Sequence, residues 1–76
     1  MTLPELYEAL ERHDWFHVQS DDHAVYLAGH AQWNELARNA RALGPQADRL
    51  LADFSHYKWA TADGEQLPKP KLEDYV

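Results

Sequence analysis

The chain contains no cysteine. That removes disulfides and thiolate zinc sites as a means of holding a small fold together, so the 76 residues must be held by packing alone, near the lower size limit for a single core. A reducing compartment is thereby permitted. Glycine is nearly as scarce, with three residues, and no glycine-rich phosphate loop can be built from them. Basic residues are few: seven Lys and Arg stand against thirteen Asp and Glu, for a net charge of −6. Direct binding to nucleic acid or to an anionic lipid surface is disfavoured, because both need a basic footprint. No long hydrophobic run occurs, and the opening residues "MTLPELYEAL" have no basic segment leading into an apolar stretch. Neither a secretory leader nor a membrane span is expected, and the chain reads as cytoplasmic. Nucleophiles in a recognisable context are also missing. Ser20 is best used as a helix cap and Ser55 falls within a helical pattern, so catalysis is not expected, and no cofactor is implied.

What is present is acidity at the ends. Residues 1–22 set Glu5, Glu8, Glu11, Asp14, Asp21 and Asp22 against Arg12 alone, residues 23–62 are close to balanced, and the stretch from Asp63 is again acidic. Such a distribution suits a basic protein surface as partner.

The apolar residues recur at helical spacing, which predicts an all-α fold. Leu3, Leu6, Tyr7 and Leu10 share one helix face. Thr2 and Glu5 have capping-box spacing and Pro4 sits in the first turn, so a first helix is expected from Leu3 to about His13. Residues 14–19 break the pattern with an aromatic and β-branched run. Ser20, Asp21 and Asp22 form a strong helix start, and Val25, Gly29, Trp33, Leu36, Ala40 and Leu43 then continue at helical period, predicting a second helix over 21–43. A β-hairpin pairing "WFHVQ" with "AVYLA" across "SDDH" is the competing reading. Gly29 inside a helix points to close backbone packing against the first helix or the aromatic segment. Gly44–Pro45 ends one helix and starts the next; Ala47, Leu50, Leu51, Phe54 and Tyr57 mark the buried side of a third helix to about Ala60. The expected organisation is a three-helix domain over 1–62 and an extended tail over 63–76, packed on it through Leu67, Leu72 and Tyr75.

Histidine is unusually concentrated, with His13, His17, His23 and His30 in eighteen residues that also hold Asp14, Asp21 and Asp22. His13 and His17 have the i, i+4 spacing of a helical zinc pair, but the helix is expected to end between them. Capping and solvated imidazoles are the expected roles, with a His/Asp metal module as an alternative.

The run "HDWF" at 13–16 and "SDDHAVYLAG" at 20–29, following "LPELYEALE", resembles small proteins encoded by bacteriophages and prophages, a group with no activity attached to it. His13, Asp14, Trp15, Ser20, Asp21, Asp22 and Gly29 carry the resemblance. Phe16 and Tyr26 stand where that pattern more often has tyrosine and tryptophan. The resemblance implies a mobile-element origin, and hence a protein that binds and redirects host machinery.

Charge, aromatics and resemblance together lead to the expectation of a small acidic protein-interaction module. Its expected role is that of a phage-encoded inhibitor of anti-CRISPR or anti-defence type, mimicking DNA in charge and binding a host protein with a basic groove. Glu5, Glu8, Glu11, Asp14, Trp15, Asp21, Asp22 and Tyr26 are the candidate contact residues, since acidic groups spaced by a helical turn approximate phosphates and exposed Trp and Tyr serve as anchors. A regulatory adaptor without inhibitory role is the alternative within the same class.

Overall fold

The computed structural model describes all 76 residues, the side chains of Phe16 and His17 excepted. The expectation of an all-α fold holds, with four helices in the order α1 (Leu3–Arg12), α2 (Trp15–Val18), α3 (His23–Leu43) and α4 (Pro45–Ala62), then a single 3-10 turn at Leu72–Asp74. No strand occurs among the described residues, so the hairpin reading falls.

Each boundary has a local cause. At the start of α1 the Thr2 side chain accepts from the Glu5 N–H while the Glu5 carboxylate accepts from the Thr2 N–H at 3.0 Å, the reciprocal pair of a capping box. The second expected helix starts two residues later, at His23 instead of Asp21. Asp22, not Ser20 or Asp21, is its cap, accepting from the N–H groups of Ala24 and Val25, and Ser20 instead accepts from the Asp22 N–H. Residues 14–19, read as a break in the helical pattern, contain the one-turn α2. Between α3 and α4 the chain reverses at Gly44, whose φ of 108° and ψ of −175° lie in a region only glycine enters readily. α4 continues to Ala62, two residues past the expected end.

The core is one cluster contributed by every long helix and the chain end: Leu6 and Leu10 from α1, Leu36 and Ala40 from α3, Ala47, Leu50 and Phe54 from α4, and Tyr75 beyond them. Tyr7 meets Phe54 edge-on at 5.3 Å, and Phe54 meets Tyr57 at 6.2 Å. These contacts fix helix direction. Tyr7 lies by Phe54 and the His13 carbonyl by Lys58, so α1 runs alongside α4 in the same sense, and α3, joined to α4 by a tight reversal, runs opposite to both. The end of α1, the start of α3 and the end of α4 therefore come together at one end of the molecule. The bundle is thin, with extents of 36 × 27 × 16 Å.

Residues 63–76 fold back along α1 and α4. The Tyr7 hydroxyl donates to the Pro70 carbonyl at 2.7 Å, Lys69 pairs with Glu11 at 2.6 Å, and Arg49 donates to the Asp74 carbonyl at 3.2 Å. Tyr75 is buried with its hydroxyl on the Asp53 carboxylate, and the Arg49 guanidinium lies 5.0 Å from its ring centre.

Candidate functional site

The end of the bundle where α1, α3 and α4 converge holds the densest group of aromatic rings. The indole of Trp15, on α2, packs edge-on against Trp33 of α3 at 5.4 Å and against Trp59 of α4 at 5.3 Å. His13, just past α1, closes the group at 5.2 Å from Trp33 and 6.3 Å from Trp15. Such edge-to-face contacts hold rings beyond what area burial alone provides. Trp15 is half-buried, and its indole N–H is buried with no acceptor among the described residues, so ring packing fixes it. Trp59, the outermost ring, is 50% exposed.

Polar contacts lock this end together. The buried His13 ring donates from Nε2 to the carbonyl of Gly29 at 3.2 Å, a bond that ties the residue after α1 to the α3 backbone. The His13 carbonyl, at the negative end of the α1 dipole, accepts from the Lys58 ammonium at 2.6 Å. Burial pushes Lys58 below the usual lysine range, and the charges of Asp14 and Glu11 oppose that shift. Holding Lys58 charged therefore costs stability at neutral pH, a cost relieved as the pH rises through its lowered value, and the two carboxylates offset part of it. Beside Lys58, an open groove of about 430 Å³ runs between Asp14, Trp15, Gln19 and Thr61.

The eight candidate contact residues are not all brought together. Glu5 is at the far end of α1, and its hydrogen bonds to Thr2 hold its carboxyl below the usual range. Glu8 is exposed and only loosely paired with Arg12, at 3.8 Å. Glu11 is exposed but tied to Lys69. Asp14 and Trp15 lie at the converging end, and Asp21 and Asp22 open α3 at that same end, both exposed, with Asp22 used as the cap. Tyr26 is 39% exposed and its ring packs on His30 at 4.3 Å. Two residues of this end were missing from the candidate set. Trp59 is signalled in the sequence by falling off the apolar stripe of its helix, whereas Lys58 is tied to His13 across 45 residues and no local spacing announces it.

Among the described residues no three His, Asp or Glu side chains come together as a metal-binding group. His13 is committed to Gly29 and Trp33, and His23 and His30 flank Tyr26; the His17 side chain, part of the i, i+4 pair, lies outside the described residues. Among the described residues no helix is long and apolar enough to cross a membrane.

Comparison with protein-family models, with curated proteins and with solved structures finds no match to this chain.

Proposed function

We propose that the protein is a small acidic interaction module that uses the converging end of its bundle to bind a basic, nucleic-acid-binding surface of a host protein inside a bacterial cell. The expected phage-encoded inhibitor, of anti-CRISPR or anti-defence type, is the form of this reading that its resemblance to phage proteins favours. The observation that carries it is the juxtaposition, at one end, of exposed acidic residues from α3 and the α1–α2 junction with the half-exposed ring of Trp59. Carboxylates steer association with a basic surface, and an aromatic ring on a rigid support gives the contact its lifetime. Within this arrangement Trp59 is the anchor and Trp15 holds it in place. Glu8 is the α1 carboxylate most available to a partner, because Glu5 and Glu11 already serve the cap and the tail.

The reading is tested by comparing what the wild-type chain and a Glu8→Lys/Trp59→Ala double variant retain from a bacterial lysate, at low and at high salt, with mass spectrometry of the captured proteins. Both changes are at exposed positions, so circular dichroism of the variant should match the wild type. A protein with a basic groove should be retained by the wild type at low salt, and be lost both from the variant and at high salt. Identical captured sets from the two chains would show that this end is not the contact surface.

A further inference from the structure

The chain has three lysines, Lys58, Lys69 and Lys71, and the fold gives each a different setting. Lys69 is bonded to the Glu11 carboxylate at 2.6 Å, which holds it above the usual lysine range. Lys71 is exposed on the tail. Lys58, on α4, is half-buried and donates from Nζ to the His13 carbonyl at 2.6 Å. That acceptor is a neutral backbone group, so the bond survives when the side chain gives up its charge, provided one N–H remains on the nitrogen. Lys58 also lines the open groove of about 430 Å³ that runs between Asp14, Trp15, Gln19, Tyr57 and Thr61. A small substituent on the amine has room there.

We propose that Lys58 is an acylation site, at which the amine takes a small acyl group from an uncharged thioester and the adjoining groove houses the product. The transfer balances without a further reactant. The lone pair of the neutral amine forms the C–N bond to the acyl carbon, the C–S bond breaks with its electron pair on sulfur, and the proton shed by nitrogen passes to the departing thiolate. Burial pushes Lys58 below the usual lysine range, against the charges of Asp14 and Glu11, so the nucleophilic form is present at lower pH than in an exposed lysine. The product also suits the site. An acyl-lysine amide keeps one N–H, enough to hold the His13 carbonyl and so the end of α1 against α4, and it removes a half-buried charge. A neutral imine, the product of an aldehyde, has no N–H to give, which favours an acyl donor over a carbonyl compound. Asp14 on the groove wall and a net charge of −6 favour an uncharged donor over an acyl phosphate. Acylation would also take a positive charge from the acidic end of the bundle, but the chemistry at Lys58 is independent of what that end binds.

The test incubates the intact chain with S-acetyl-N-acetylcysteamine, a neutral acetyl thioester, and follows acetylation of each lysine by peptide mass spectrometry from neutral pH to about pH 10. At neutral pH Lys58 should be acetylated fastest, Lys71 next and Lys69 slowest. The ratio of the Lys58 rate to the Lys71 rate should fall as the pH rises, because amines then lose their protons whatever their burial and exposure decides the rate. With N-acetyllysine in place of Lys58 the chain should melt no lower than the unmodified one, whereas Lys58→Ala, which takes the donor from the His13 carbonyl, should lower Tm. Lys58 reacting no faster than Lys71 at neutral pH, a ratio that does not change with pH, or an acetylated chain that melts below the unmodified one would each overturn the proposal.

Discussion

Trp15 and Trp59 touch, yet their environments assign them different work. Trp15 is half-buried among Trp33, Trp59 and His13, and it ties α2 to both long helices. Trp59 contributes one face to that group and leaves half its surface in water. Removing a large ring from a packed site costs transfer free energy plus the cavity left behind, whereas an exposed ring costs little. Trp15→Ala should therefore lower stability by about 2–4 kcal/mol, and Trp59→Ala by no more than about 1 kcal/mol, measured by urea denaturation of the free protein. The order reverses in the partner complex, where Trp59→Ala should raise the dissociation rate more than Trp15→Ala does. Equal losses of stability would mean that the two tryptophans form one structural unit and that Trp59 is no anchor.

At the scale of elements, α1 and the tail hold each other in place. The helix begins in a capping box and ends on the Lys58 ammonium, so a side chain secures each of its ends. The tail is fastened by Lys69 on Glu11 and by Tyr75 on Asp53, and both fastenings depend on protonated groups. The Glu11 hydrogen bond holds Lys69 above the usual lysine range. Burial, helped by the hydrogen bond to Asp53, pushes Tyr75 up to about 12 from 10.0. A group whose value is raised by folding contributes stability that is complete below its unfolded value and is lost as the pH rises through the folded one. The tail should therefore stay docked at neutral pH and detach as the pH rises from 10.0 toward about 12. Ultraviolet titration should show one tyrosine ionising late, with tail amides losing protection over the same range. In Tyr75→Phe that late step should be absent; if it persists, it belongs to another tyrosine.

The long helices were legible because Leu3, Leu6, Tyr7 and Leu10, and later Leu36, Ala40, Leu50 and Phe54, repeat at the helical period and mostly end up buried. α2 was not, since four residues are too short to display a period. The start of α3 slipped by two residues because Ser20, Asp21 and Asp22 can all cap a helix, and only the backbone path selects Asp22. The fastening of the tail was legible at Tyr75 as an apolar anchor, but its partner Asp53 and the Lys69–Glu11 pair lie 22 and 58 residues away in sequence. Contacts of that kind are set by the packing of whole helices.

At the scale of the whole molecule, the three long helices in a body 16 Å thick each leave much of their surface exposed. Acidity was legible from composition, but not its state. Folding ties Glu5 into a cap and Glu11 to Lys69, so the α1 stripe is less available than six carboxylates in the first 22 residues suggest. The converging end, assembled from segments far apart in sequence, is the surface that the fold adds. Amide chemical-shift mapping on addition of the captured host protein tests its role most directly. The changes should fall on Glu8, Asp14, Asp21, Asp22, Tyr26 and the indole of Trp59, and should weaken as salt rises. Changes confined to the tail and to the second half of α3, or a complex indifferent to salt, would contradict it.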